Sequence, residues 1–472
     1  MDTQGITHTR ILVAGLGLHG GGVATVRWLV RHGARVTVTD LRSAEQLRPA
    51  LAHLRDVSVR YVLGKHRLTD FTSAQLIVQN PAMPENSVYL RAARRRGVRI
   101  ENEASLFFRF CPAPVIGITG TRGKSTVTAL IGKLLAAPRR RVWVGGNIRT
   151  AAMLSFLDTV RRNDTVVLEL SSWQLERMTE HGFSPQMAVV TNVLPDHLNR
   201  YASLSAYLQA KRGILLRQNR DGIAVLNYRN SATRELRRSA IGRVVWFSSA
   251  ALGSGQGSFV RAGVLYCRLG KKTQRIIATR ELALAGQHNL ENVAAAVAVA
   301  CLRSVPVTHL RKVLTSFRGL PDRLETIRRV HGITYVNDTT ATTPDATIAA
   351  LRTLSAGKAA GNAGIVLIAG GSNKGLDFHV LLREIKKYAR ALVLLPGTGT
   401  DSMKKTLLPL IRKGEFTLPV VQAATMVDAV ALTVRFANPG GIVLLSPACA
   451  SFGVFVHEFD RGEQFRAAVR KL

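Results

Sequence analysis

Residues 117–126 read GITGTRGKST, with glycines three apart at Gly117, Gly120 and Gly123, followed by Lys124, Ser125 and Thr126. Backbone N–H groups that glycines leave open at a helix start surround phosphate oxygens, and a lysine there adds a cation. The common phosphate loop, G-x-x-x-x-G-K-[ST], would need glycine where Ile118 stands. The residue types still point to a nucleoside triphosphate. Lys124 would reach the β- and γ-phosphates, and Ser125 or Thr126 would face Mg²⁺. Apolar Val115–Ile118 predicts a strand before the loop and STVTALIGKLLA predicts a helix after it, which is where phosphate loops lie.

Two further stretches end apolar, β-rich runs in polar residues: VVLELSSWQLE (166–176) and MAVVTNVLPDHLNRY (187–201). Parallel sheets deliver chemistry at the carboxyl ends of their strands. Glu169 stands at one such end, and Asp196 with His197 at the other. Taken singly, a histidine after a strand is more often structural. Beside a loop that needs Mg²⁺, an acid and a histidine at adjacent strand ends become candidate metal ligands.

These residues must be positioned by sheets, and three segments carry the required alternation. The first, ILVAGLGLHGGGVATVRWLVRHGARVTVTD, predicts a strand at Ile11–Ala14, then Gly15-x-Gly17-x-x-Gly20, a helix, and a strand from Arg35 to Thr39 ending at Asp40. This is the grammar of a dinucleotide fold, whose acid about 20 residues on holds a ribose. A tight turn without ligand would read the same way, and the fingerprint does not choose the nucleotide. The second segment begins after the proline-containing linker FCPAPV. The third carries GITYVNDTTATTPDATIAAL, GIVLIAGGSNKGLDF, ALVLLPGTG and GGIVLLSPACASFG, each a strand running into a Gly/Ser/Thr/Asp turn. Its strand ends offer Asp338, Thr342, Lys374, Ser446 and Ser451. GGIVLLSPACASFG is apolar enough for a central parallel strand.

A chain of 472 residues divides into several domains. No apolar run reaches the roughly 18 residues of a membrane span, and the amino terminus lacks the apolar core of a signal peptide. Cys111, Cys267, Cys301 and Cys449 are scattered without CxxC pairing, which points to a reducing cytoplasm and away from disulfides or zinc. Lys and Arg number 65 against 30 Asp and Glu, a net charge of +35. The basic residues fall in short clusters without a tail or aromatic-interleaved patch, so a basic surface around anionic small molecules is favoured over a nucleic-acid partner.

In this order, the motifs GLGLHG, GITGTRGKST, VGGNI (144–148), LELSSWQLE, TNVLPDHLNRY, YLQAK (207–211), GQHNLENVAAA (286–296), GLPDRLE (319–325), NDTTATTPDAT, GGSNKGLDF and LLSPACASFG resemble the Mur ligase family of peptidoglycan synthesis over nearly the whole chain. The resemblance is to its glutamate-adding members. It implies an α/β protein of three domains: a Rossmann-like domain for the UDP-sugar (1–112), a P-loop ATPase-like ATP domain (113–319), and a Rossmann-like amino-acid domain (320–472). It further implies a monomer and ATP-driven addition of glutamate, expected as the D-isomer, to UDP-N-acetylmuramoyl-L-alanine through an acyl phosphate.

By the same resemblance, Gly15, Leu18, His19, Asp40, Arg42, Asn80, Glu103 and Asn147 would serve the UDP-sugar. Gly117, Gly120, Thr121, Gly123, Lys124, Ser125, Thr126, Asn289, Asn292, Arg323 and Asp338 would serve ATP. Ser125, Glu169, His197 and Lys211 would surround two Mg²⁺ ions, Lys211 as a carbamate, although its pattern alone reads as a helix-surface lysine. Thr342, Lys374, Ser451 and Phe459 would hold glutamate. The chain departs from the family at Asp322, where histidine is usual, at Thr340, where lysine is common, at Asn199, where aspartate is usual, and in QNPAM. Two alternatives stand beside this reading: a family member that adds L-glutamate or another amino acid, and a basic P-loop ATPase acting on nucleic acid.

Overall fold

The computed structural model describes the chain except residues 1–4, 19, 82, 137–140, 148–151, 195–200, 285, 357–363, 374 and 452–453, and the side chains of 287 and 288. His19, Asp196, His197, Asn199 and Lys374, named above, therefore lie outside the described residues. The chain forms two compact units, Met1–Phe317 and Arg318–Leu472, and the first contains two sheets.

The amino-terminal sheet joins β1 (Arg10–Ala14), β2 (Arg35–Asp40), β3 (Arg60–Leu63), β4 (Leu76–Gln79) and β5 (Arg99–Glu101) in the order 3-2-1-4-5. All its pairings are parallel. The order reverses between β2–β1 and β4, and at such switch points doubly wound sheets bind ligands. The glycine loop after β1 opens there.

The second sheet comprises β6 (Val115–Thr119), β7 (Val142–Gly146), β8 (Thr165–Glu169), β9 (Met187–Val190), β10 (Ile223–Asn227), β11 (Arg243–Ser248), β12 (Gly257–Arg261), β13 (Val264–Leu269) and β14 (Lys272–Ala278). Its order is 14-13-12-11-10-9-6-8-7. The strands from β7 to β12 pair in parallel, and β13 and β14 add an antiparallel edge. β6 lies between β8 and β9, so the phosphate loop, Glu169 and the TNV segment emerge side by side. On one face lie the helix Lys124–Leu135 and the alanine-rich helix Gln287–Leu302, whose residues Val293–Ala300 are wholly enclosed. Alanine's small side chain lets that helix sit close to the sheet. The opposite face shares one apolar cluster with the amino-terminal sheet, running from Ile11 and Trp28 through Phe107 to Leu226. FCPAPV touches this cluster through Ala113 and Val115, while Pro112 is exposed.

The second unit holds β15 (Glu325–Val330), β16 (Ile333–Asn337), β17 (Ile365–Gly370), β18 (Ala389–Leu395), β19 (Val420–Gln422) and β20 (Ile442–Leu445) in the order 15-16-20-17-18-19. Only β15 is antiparallel. β20 is central and fully buried, as its continuous apolar run predicts.

Candidate active site

Each glycine of the phosphate loop has its own steric reason. Gly117 lies inside β6, where a Cβ would come 2.7 Å from Pro185 Cγ, so it serves packing behind the loop. Gly120 (φ 147°) lies against the Thr191 hydroxyl, which a Cβ would overlap. Gly123 (φ 82°) caps the helix Lys124–Leu135 in the left-handed region, and a Cβ there would overlap the Asn292 amide. The triplet spacing thus reflects neighbours pressing on the loop at three depths. Thr121 N–H donates to Asn192 O at 2.8 Å, and Arg122 N–H to Asn192 Oδ1 at 2.9 Å. Those donors hold the loop's shape. The helix's own ladder begins with Val127 N–H donating to Gly123 O, so the first-turn amides of Lys124, Ser125 and Thr126 lie at the anion-binding end of the helix. Lys124 Nζ curls back to Thr121 O at 3.0 Å. Asn292 lies against Gly123, and its Nδ2 donates to Asn289 Oδ1 at 2.9 Å, which ties the two expected nucleotide residues together. Gly120→Ala, strained by both φ and overlap, is expected to raise KM for ATP by at least about tenfold. Steady-state kinetics alongside a thermal melt check this.

β8 ends at Glu169, which is 2 % exposed. Its Oε2 has no hydrogen-bond partner among the described residues, and its Oε1 receives only a long 3.4 Å contact from Asn147 Nδ2. An enclosed carboxylate left this way suits a cation, because burying an uncompensated charge is costly. Among the described residues no three His, Cys, Asp or Glu side chains cluster as a metal site; the other expected protein ligands are Ser125, Lys211 and His197, the last outside that set. Lys211, read from pattern as a surface lysine, is 1 % exposed. Its Nζ donates to Gly120 O at 2.8 Å and lies 4.3 Å from the Tyr207 ring centroid. The surface reading is therefore corrected: the helix Leu204–Arg212 turns Tyr207, Leu208 and Lys211 inward beneath the phosphate loop.

At the amino-terminal switch point, Gly15, Gly17 and Gly20 all take positive φ. Asp40 Oδ2 accepts from the Leu16 and Gly17 N–H groups at 2.9 and 3.1 Å, and Oδ1 from Arg42 N–H at 2.9 Å. Asp40 thereby shapes the glycine loop. Arg42 lies 3.6 Å from the same carboxylate, Leu18 packs against the apolar cluster, and Asn80 Nδ2 donates to Gly15 O at 3.2 Å.

Glu103 Oε2 lies where a Cβ on Gly21 would approach to 3.0 Å, beside the helix that the glycine loop opens. Burial pushes its carboxyl up to about 7, against the Leu154 and Met153 amides. A raised carboxyl gives stability below its ordinary pKa, near 4.5, that is lost as pH climbs to about 7. Glu103→Gln should flatten that decline, read as the difference between the two proteins' melting temperatures at about pH 5 and about pH 8.

The glycine loop and Glu169 are tied together within the first unit. Arg177, 2 % exposed on the helix that follows β8, donates to Gln79 Oε1 at 2.7 Å and to Glu85 Oε2 at 2.7 Å. Asn102 Nδ2 donates to Gln174 O at 3.2 Å, and Trp28 Nε1 to Asp158 Oδ1 at 2.8 Å.

In the second unit, Asp338 accepts from Ser446 Oγ at 2.9 Å and Leu324 N–H at 3.2 Å, and burial pushes its carboxyl up to about 7. Thr339 Oγ1 donates to Glu458 O at 2.8 Å, Ala448 N–H to Ala341 O at 2.9 Å, and Ser372 pairs with Ala450. These bonds gather the segments carrying Thr342, Ser451 and Phe459. Ser451 Oγ is buried without a hydrogen-bond partner among the described residues. The departure at Asp322 is a packing feature: fully buried, it pairs with Arg466 at 2.9 Å and accepts from Asn337 at 3.0 Å. Thr340 Oγ1 donates to Asp322 O at 3.0 Å, so the two departures adjoin.

Sequence reading missed Arg177, Asn192 and Asn230. Their only signal is a polar residue beside a strand end or a buried helix face.

Three family models match in order: the Mur ligase MurD-like N-terminal domain at residues 9–102, the Mur ligase middle domain at 118–300, and the Mur ligase glutamate ligase domain at 322–449. The chain belongs to the Mur ligase family, whose members are ATP-dependent ligases that work with Mg²⁺. It is 43% identical over 474 residues to the UDP-N-acetylmuramoylalanine–D-glutamate ligase of Roseiflexus sp. (strain RS-1), with 98% of each chain covered. It is 39% identical to the ligase of the same name from Symbiobacterium thermophilum, again with 98% of each covered. Among solved structures, UDP-N-acetylmuramate-alanine ligase MurC from Thermotoga maritima shares the fold at a TM-score of 0.63 and 20% identity, over 98% of this chain and 100% of that one. No described helix is long and apolar enough to cross a membrane.

Proposed function

We propose that the protein joins D-glutamate to UDP-N-acetylmuramoyl-L-alanine, hydrolysing ATP to ADP and phosphate, in the cytoplasmic synthesis of peptidoglycan precursors. The observation that carries this is the 43% identity across 98% of both chains with a ligase of that name, together with a phosphate loop flanked by a buried carboxylate, Glu169, whose Oε2 has no hydrogen-bond partner among the described residues. The domains divide at 112/113 and 319/320, and the protein acts as a monomer.

The alanine carboxylate attacks the γ-phosphorus, ADP leaves, and an acyl phosphate results. The glutamate amine then attacks the acyl carbon, phosphate departs with the former carboxylate oxygen, and the nitrogen loses a proton. Negative charge collects on phosphoryl and acyl oxygens in both steps. Lys124 and the first-turn amides of its helix receive the phosphates. Glu169, Ser125, His197 and carbamoylated Lys211 hold two Mg²⁺ ions, which supply positive charge to those oxygens when bound. Asn289, Asn292, Arg323 and Asp338 serve the nucleotide. Gly15, Leu18, His19, Asp40, Arg42, Asn80, Glu103 and Asn147 serve the UDP-sugar, Asp40 by shaping the glycine loop. Thr342, Lys374, Ser451 and Phe459 serve glutamate.

Phosphate release is measured with UDP-N-acetylmuramoyl-L-alanine and each glutamate isomer, and separately with DNA or RNA. Release only with D-glutamate and the sugar nucleotide supports the proposal. Equal release with L-glutamate, or stimulation by nucleic acid alone, rejects it.

A further inference from the structure

Beyond the ends of the central strands, side-chain amides continue the ladder that the backbone abandons. β6 ends at Thr119, β9 at Val190 and β10 at Asn227. Past those ends, Asn192 holds Arg122 in both directions: Oδ1 accepts Arg122 N–H at 2.9 Å and Nδ2 donates to Arg122 O at 3.2 Å. One step outward the pattern repeats. Asn230 Oδ1 accepts Val193 N–H at 3.2 Å, and Nδ2 donates to Val193 O at 3.1 Å. Asn192 O also takes Thr121 N–H at 2.8 Å, and Thr191 Oγ1 donates to Arg122 O at 2.7 Å.

An asparagine amide has one acceptor and one donor set in the geometry of a peptide group, so it can stand in for a missing strand residue. Asn230 is itself anchored, its Oδ1 also capping the helix Ser231–Leu236 at Thr233 N–H, 3.0 Å away. The chain of support therefore runs from that helix through Asn230, Val193 and Asn192 to Arg122. Arg122 lies between Gly120 and Gly123, both held at positive φ. A loop with two such glycines has no conformational preference of its own to keep it in shape.

We propose that Asn192 and Asn230 are positioning residues for ATP: they touch no phosphate, but fix the backbone of residues 121–122 so that the first-turn amides and Lys124 meet the triphosphate. The inference rests on that loop being the ATP site. It predicts a specific energetic signature. Loosening the loop before ATP binds adds an ordering cost to ATP binding, while the sugar nucleotide and glutamate are bound by other segments.

The test uses the full chain and four variants, Asn192→Ala, Asn192→Asp, Asn230→Ala and the double alanine, each measured for KM of the three substrates, for kcat, for direct binding of a non-hydrolysable ATP analogue, and for melting temperature. Asn192→Ala is expected to raise KM and analogue Kd about tenfold or more, with the other two KM values changing less than about threefold. Asn192→Asp keeps the acceptor for Arg122 N–H and loses the donor, so it should fall between wild type and alanine. Since Asn230 acts through Asn192, the double variant should lose little beyond Asn192→Ala. Unchanged ATP binding in a folded Asn192→Asp or Asn192→Ala protein overturns the proposal. So does a parallel rise in all three KM values, or full additivity in the double variant. Failure of the wild-type protein to bind the analogue would instead reject the ATP reading of the loop.

Discussion

Lys211→Met should reduce turnover by about two to three orders of magnitude, the loss typical of removing a charged group placed at a reacting centre. Lys211 is enclosed beneath the phosphate loop, its ammonium facing Gly120 O and the Tyr207 ring. In the role proposed for Lys211, addition of CO₂ to the neutral amine, with loss of a proton, would form a C–N bond and replace the cation with an anionic carbamate. The wild-type protein should then lose activity in CO₂-depleted buffer, recover it with bicarbonate, and show an intact mass raised by one CO₂. Methionine fills the same space without the charge, so the variant should be insensitive to bicarbonate, and a cooperative thermal melt checks that it still folds. Wild-type turnover in the variant would reject the role.

Glu169→Gln is the second large effect. The exchange is close to isosteric and removes one negative charge from a carboxylate whose Oε2 has no hydrogen-bond partner among the described residues. Turnover should fall about a hundredfold or more, and the Mg²⁺ concentration for half-maximal activity should rise. Stability should move the other way, because a neutral amide is cheaper than a charge at a buried position whose Oε2 has no hydrogen-bond partner among the described residues. A Mg²⁺ titration paired with thermal melts reads both. Unaltered Mg²⁺ dependence, or a destabilised protein, would contradict the assignment.

Much of the architecture follows from local pattern. Val115–Thr119, Thr165–Glu169 and Met187–Val190 are apolar runs of strand length, and their polar ends converge because parallel strands finish on one side of a sheet. Lys124 and Glu169 were legible for that reason. Lys211 was not legible from residue pattern, since a lysine on a short helix is ordinarily solvated; only its i,i+4 relation to Tyr207 hints that both face inward. Asp322 reads as a lost histidine until Arg466, far along the chain, is seen to pair with it. Asn192 and Asn230 act through backbone groups of distant segments, and a single polar loop residue carries no periodicity. The apolar cluster joining the first two sheets is equally non-local.

The proposed reaction depends on ATP making a leaving group of the alanine carboxylate before glutamate arrives, and an oxygen label follows that directly. UDP-N-acetylmuramoyl-L-alanine carrying ¹⁸O in its carboxylate is turned over with ATP, Mg²⁺ and D-glutamate, and the released phosphate is analysed by mass. One carboxylate oxygen should appear in each phosphate, the other remaining in the new amide. Phosphate free of the label would show that the carboxylate was never phosphorylated.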